Sequence, residues 1–290
     1  MKNLHRLGPE IVDELAKRRG VESYNLARDF HNDKEYDKAI IHYGNAISLF
    51  PDFWEAYFGR GLVYEKKGEY QKAINDYETA LSDTPSPAIY NARGRAYYYQ
   101  GKYDKALSDY NQAISLNPNF AEACYNRGLV ENQKKRYDRA IVDNNRAIEL
   151  NPRNYRVFIS RGYSFHYKNE FKLAIADYSR AIALASDSVL AFNNRGLSHE
   201  KNEDFEKAIA DYKQGIALKP EYSFPYFRLG IIYFEQERYT EALKMLDQAI
   251  HRGQRIAEYF FQRYRVKKNL GRLKEAEYDR KKAMSLGYKE

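Results

Sequence analysis

The chain has 290 residues, 43% hydrophobic and 15% aromatic, a composition that excludes intrinsic disorder and can build a substantial core. Its apolar residues come in short clusters broken by charge, no run approaches bilayer-spanning length, and no membrane insertion is expected. The net charge of +8 is uneven: residues 251–290 hold 12 Lys and Arg against 5 Asp and Glu, and residues 1–19 five against three. The stretch between is near neutral, which argues against a general polyanion binder.

Residues 1–19 carry Lys2, Arg6, Glu10, Asp13 and Glu14 and lack the apolar stretch of a secretory signal. A helical cap and a cytoplasmic chain are the expectations. From Gly20 onward one pattern recurs with a period of about 34 residues. Its copies are 20–53, 54–86, 87–120, 121–154, 155–188, 189–222, 223–256 and 257–290, the second one residue short.

In every copy the twentieth and twenty-seventh positions are Ala or Gly, from Ala39 and Ala46 to Ala276 and Ala283. The eighth is small in seven copies (Ala27, Gly61, Gly94, Gly128, Gly162, Gly196, Gly230) and becomes Tyr264 in the last. Missing bulk at these places lets two helices of a hairpin approach, and large neighbours such as Tyr36, Tyr70, Phe171 and Tyr239 at position seventeen fill the groove. Pro51, Pro85, Pro118, Pro152 and Pro220 cannot continue a helix and punctuate the hairpin ends, while Gly68, Gly101 and Gly271 mark the internal turn.

Position seven is Arg60, Arg93, Arg127, Arg161, Arg195 and Arg263 in six copies, and position twenty-three in the same copies is Asp76, Asp109, Asp143, Asp177, Asp211 and Asp279. Both charges vanish together in the first copy (Leu26, His42) and the seventh (Leu229, Met245). Pairing with the preceding copy would strand Arg60 and Arg263, so the covariation predicts a structural ion pair between the two helices of one hairpin rather than an arginine ladder for an acidic ligand.

Two copies depart from the pattern. The last has Tyr264, Lys267 and Arg280 where small or aromatic residues recur, which predicts a solvated outer face on a polar, basic cap. The fourth has Glu131 and Asn144 where its neighbour has Tyr97 and Tyr110. Those two read as a satisfied polar contact, with a hinge or dimer contact as the alternative.

No catalytic chemistry is visible. His5, His31, His42, His166, His199 and His251 show no metal or triad spacing, and Gly59-x-Gly61 follows no strand and is no phosphate loop. The single Cys124 excludes an internal disulfide and a cysteine metal cage. No enzyme activity, cofactor or metal is expected.

Eight in-register copies with these small, aromatic and proline positions resemble the tetratricopeptide repeat family over residues 20–290. The resemblance implies an all-α fold, an α-α superhelix of antiparallel helical hairpins with a right-handed coil. It also implies that the first helix of each hairpin, helix A, forms a concave wall for a partner. Carried over by position, that wall comprises Tyr24, Asn25 and Arg28, then Phe58, then Asn91, Arg95, Tyr98 and Tyr99, then Tyr125 and Asn126, then Tyr163, and finally Asn193 and Asn194. His31, Asn32, Leu62, Glu65, Asn132, Gln133, Ile159, His166, Tyr167 and Glu200 share its positions.

Asparagine amides can bind the backbone of an extended peptide, and aromatic rings offer pockets for side chains. The family's carboxylate clamp needs Lys at position five and Asn at position nine, and no copy here has either. The expected function is a non-catalytic protein-interaction scaffold gripping a peptide or helix of a partner. The alternative is RNA binding through the basic last copy, with Phe260, Phe261 and Tyr264 beside its charges. Near-neutral charge over the body makes nucleic acid the disfavoured partner, and homo-oligomerisation is compatible with either reading.

Overall fold

The computed structural model describes residues 9–289. The first eight residues of the expected N-terminal cap lie outside the described residues. Within them, sixteen helices follow one another. In the first four hairpins they are α1 (Pro9–Asn32) with α2 (Tyr36–Leu49), α3 (Trp54–Lys66) with α4 (Tyr70–Asp83), α5 (Pro87–Tyr99) with α6 (Tyr103–Leu116), and α7 (Ala121–Gln133) with α8 (Tyr137–Leu150). The next four are α9 (Tyr155–Tyr167) with α10 (Phe171–Leu184), α11 (Val189–Lys201) with α12 (Phe205–Leu218), α13 (Ser223–Glu235) with α14 (Tyr239–Arg252), and α15 (Ala257–Asn269) with α16 (Leu273–Ser285).

Local chemistry sets the breaks. Helix A ends in a left-handed turn residue, Gly68, Gly101 or Gly271 at φ 72–75°. The next residue returns its N–H to the helix end, as Glu69 does to the Tyr64 carbonyl and Lys102 to the Tyr97 carbonyl, both at 2.9 Å. Lys34, Lys135, Asn169, Glu203 and Glu237 hold the same left-handed conformation in the other hairpins. At the far end, Phe50, Thr84, Asn117 and Lys219 each precede a proline and lie outside the helical region, Thr84 and Asn117 being extended.

The hairpins fall into two compact units, one ending at Asn151 and the other beginning at Pro152. In the first, each helix B packs on the next helix A: α2 on α3, α4 on α5, α6 on α7. In the second, α10 packs on α11, α12 on α13 and α14 on α15 in the same way. The alanines at the crossings, among them Ala73, Ala106, Ala208 and Ala242, are fully buried.

Close approach fills the hairpins. A Cβ built on Gly61 would lie 2.5 Å from the ring of Tyr77, which is completely buried, whereas on Gly128 it would meet the Asn144 amide at 3.2 Å and the Ala140 carbonyl at 3.4 Å. Gly61→Ala should therefore lose stability: overpacking costs about 1–3 kcal/mol, more than the ~1 kcal/mol that alanine gains in helix propensity. Gly128→Ala should be nearly neutral. Urea midpoints of the two variants check the contrast.

Three features bear on the sequence reading. No boundary falls at residue 19: α1 runs unbroken through Gly20, whose small profile sits against Phe50 and Leu49, so the described part of the expected cap is an extension of the first helix A. Lys267 is not solvated but buried, its Nζ 2.8 Å from the Asp279 carboxylate, and a residue of opposite charge thus takes the place of a ring. In the fourth hairpin Glu131, at 6% exposure, and Asn144, at 0%, are both buried.

Candidate functional site

Six arginines on helix A meet the aspartate sixteen residues on, in helix B of the same hairpin. In every pair Nε donates to Oδ2 at 2.8–2.9 Å and Nη2 to Oδ1 at 2.6–2.7 Å. The third nitrogen adds a contact that the covariation did not reveal. Arg127 Nη1 donates to Asn111 at 2.8 Å, Arg195 to Ser179 at 3.0 Å and Arg263 to Asp247 at 2.7 Å, each on the preceding helix B. Burial pushes the carboxyls of Asp76, Asp109 and Asp177 up, and the arginine hydrogen bonds offset this only in part. These guanidinium groups are committed to packing the helices together.

The wall of helices A divides into residues tied to one another and residues with free polar atoms. In the third and fourth hairpins Asn126 Nδ2 donates to Asn91 Oδ1 at 2.9 Å, and Asn91 Nδ2 donates to Glu122 at 3.1 Å. Arg95 bridges Glu65 (Nε to Oε1, 2.9 Å) and Glu122 (Nη1 to Oε1, 2.6 Å). Asn91 and Asn126 are buried and Arg95 is doubly paired, so these three join neighbouring hairpins instead of facing a partner. Tyr77 also donates to Glu65, at 3.0 Å. The same triad recurs in the second unit, where Tyr212 and Arg228 both donate to Glu200. Its signal was in the sequence: glutamate at position twelve occurs only in the second and sixth copies, each time with a Tyr at position twenty-four and an Arg in the next helix A.

Asn193 is also withdrawn, 2% exposed and folded against Gly215, whose added Cβ would lie 2.6 Å from its Oδ1. Asn194 is half-buried beside it. Tyr98 is half-buried against Tyr99 and Tyr103, Tyr99 is exposed and stacks on Tyr70 at 5.2 Å, and Tyr125 is half-buried. Tyr163 is exposed, its ring 4.5 Å from that of Tyr167. His166 meets Ser198 at 2.9 Å.

The first two hairpins differ. There Tyr24, Arg28, His31, Asn32, Glu55, Phe58 and Leu62 line a cavity of about 180 Å³ floored by Tyr43. Gly59 makes the floor fit, because a Cβ there would strike the Tyr43 ring at 2.6 Å. Arg28 lies over the Tyr24 ring at 5.7 Å, but among the described residues the side chains of Arg28, Asn32 and Glu55 form no hydrogen bond or ion pair. Asn25, the remaining residue of the wall here, is exposed. Burial, aided by Lys66, holds the His31 imidazole below its ordinary range, so it is neutral at pH 7. Burial also pushes the Tyr43 phenol up to about 12, so it remains a donor. The cavity thus offers a cation, a carboxylate, an amide, an imidazole and phenols above an apolar wall, in a space sized for one side chain rather than a drug-sized ligand.

Among the described residues no group of His, Cys, Asp or Glu is placed to hold a metal ion, and no helix is long and apolar enough to cross a membrane. In the basic last hairpin Arg263 and Lys267 both bond Asp279, and Arg272 pairs with Glu275 at 2.7 Å.

Family models described as tetratricopeptide repeat match residues 54–82, 121–154, 189–222 and 228–258, and one described as TPR repeat matches 94–130 and 162–203. Together they span more than half of the sequence, and the chain belongs to the tetratricopeptide repeat family, an all-α fold of tandem hairpins that serves as a protein-interaction scaffold. A solved tetratricopeptide repeat protein from Parabacteroides merdae is 20% identical with a TM-score of 0.66, the match covering 90% of this chain and 99% of that one. YrrB, a TPR protein with an unusual peptide-binding site, is 25% identical with a TM-score of 0.50, the match covering 58% of this chain and 88% of that one. MamA is 24% identical with a TM-score of 0.53, over 56% of this chain and 94% of that one. No curated protein matches the sequence.

Proposed function

We propose that the chain is a non-catalytic scaffold that holds a peptide or helical segment of a partner protein against its helix A wall, anchored at the cavity of the first two hairpins. The observation that carries this reading is the set of unspent polar groups there, Arg28, Asn32 and Glu55, beside the apolar Phe58 and Leu62. In the third and fourth hairpins the corresponding groups are used between helices, which moves the anchor away from Asn91, Arg95 and Asn126. YrrB, which has a peptide-binding site, supports a peptide as the ligand class. Arg28 and Glu55 on one rim suit a segment carrying both charges, with one apolar side chain entering between Phe58 and Leu62.

The test is selection of binders from a random peptide library on the full chain, followed by affinity measurement on variants. Arg28→Ala with Asn32→Ala should weaken selected peptides about tenfold or more, since each lost charged or amide hydrogen bond is worth about 1 kcal/mol or more. Lys274→Ala, on the last hairpin, should leave them unchanged. Peptides that bind the double variant as tightly as the parent chain would overturn the reading.

A further inference from the structure

Among the described residues the arginine of the fourth hairpin has no ring beside it, whereas each of its five counterparts has at least one, Arg195 and Arg263 having Phe192 and Phe260 alone. In the second, third and fifth hairpins the guanidinium lies between two rings of its own helix: Arg60 is 5.7 and 6.0 Å from Tyr57 and Tyr64, Arg93 5.6 and 5.9 Å from Tyr90 and Tyr97, and Arg161 5.8 Å from both Phe158 and Phe165. In the second and third, the further ring is capped by a lysine of helix B, with Lys72 5.4 Å from Tyr64 and Lys105 5.3 Å from Tyr97. Each such ring is held between two cations.

In the fourth hairpin Cys124 and Glu131 stand at the two ring positions, while both cations remain, Arg127 on helix A and Arg139 at the lysine position. A cavity of about 480 Å³ lies there, and Arg127, Arg139, Glu131, Leu107 and Val142 are among the residues that line it. Arg139 forms no hydrogen bond or ion pair among the described residues. Glu131 is 6% exposed, and its one ion-pair contact among them is Arg136 at 3.4 Å, longer than a good charge-assisted hydrogen bond. Val142 is 65% exposed and forms an apolar rim.

We propose that this slot binds an aromatic side chain of a partner polypeptide, a tyrosine or tryptophan. The ring stacks between Arg127 and Arg139 as Tyr97 stacks between Arg93 and Lys105, and its O–H or N–H donates to Glu131. Leu107 and Val142 cover its apolar edge. The ring the hairpin itself omits is the ligand the slot fits. The site lies on the helix B side of its hairpin, and the inference does not depend on the cavity of the first two hairpins.

The experiment follows arginine side-chain N–H resonances of the full chain during titration with N-acetyl-tyrosinamide and N-acetyl-tryptophanamide at millimolar concentration. Saturable shifts of the Arg127 and Arg139 signals are expected, with the phenylalanine analogue weaker for want of a donor and the leucine analogue inert. Arg139→Ala, an exposed and unpaired position, should weaken the tyrosine probe about two- to fivefold, the worth of one exposed cation–π contact. Glu131→Tyr restores the internal ring and should abolish saturation. Equal binding of the leucine probe, binding undiminished by Arg139→Ala, tighter binding of adenosine than of either aromatic amide, or no saturable shift would each overturn the proposal.

Discussion

Asp211→Ala is expected to destabilise the second unit by about 3 kcal/mol, the lower end of the range for breaking a buried ion pair. The aspartate is 4% exposed and accepts hydrogen bonds from two of the three guanidinium nitrogens of Arg195, at 2.7 and 2.9 Å. Its removal leaves Arg195 held only by Ser179, with the Phe192 ring beside it at 5.6 Å. Arg195 is about one-fifth exposed and regains some hydration, which sets the lower end. The double change Arg195→Met with Asp211→Leu should cost much less than the single one, because the large penalty comes from stranding a charge. Urea unfolding of parent, single and double variants measures it; a double variant as unstable as Asp211→Ala would mean that the pair contributes through packing shape and not through charge.

Glu200→Ala should have an effect of similar size, about 3 kcal/mol, but of a different kind. Glu200 accepts from Tyr212 in its own hairpin and from Arg228 in the next, so its loss strands a buried phenol and a mostly buried guanidinium at once. Arrays of this type are stabilised by terms within repeats and terms between neighbours. Asp211→Ala strikes chiefly the first kind, whereas Glu200→Ala also strikes the coupling between the sixth and seventh hairpins. The expected signature is a broadened unfolding transition with a smaller denaturant slope. Glu200→Gln, which keeps an acceptor for Tyr212, should recover part of the loss. An unchanged slope in Glu200→Ala would show that apolar packing alone couples these hairpins.

The hairpin frame was legible because its determinants are local and repeated. A left-handed turn at Gly68 or Gly101, an extended residue before Pro118, and small residues at each crossing depend on the chain within about one hairpin, and eight copies of the pattern average out individual exceptions. The Arg–Asp spacing of sixteen residues is equally internal to a hairpin. The aromatic slot around Arg93, by contrast, needs four side chains from two helices, and its omission in the fourth hairpin is visible only when those positions are compared in space.

What the amino-acid sequence determined by itself, then, was the family, the all-α hairpin repeat and the partners inside each hairpin, because short separations leave helices A and B few ways to meet. Tertiary structure decided which polar groups on the helix A wall are spent. Asn91, Asn126 and Arg95 stand at positions a ligand could share, yet carboxylates and amides from adjacent hairpins reach them first, while Arg28, Asn32 and Glu55 meet no such neighbour. It also decided that Lys267 is buried and that α1 is unbroken at residue 19. The reason in each case is that a side chain's availability depends on what the next hairpin places within about 3 Å of it, and that distance is set by stacking, not by spacing along the chain.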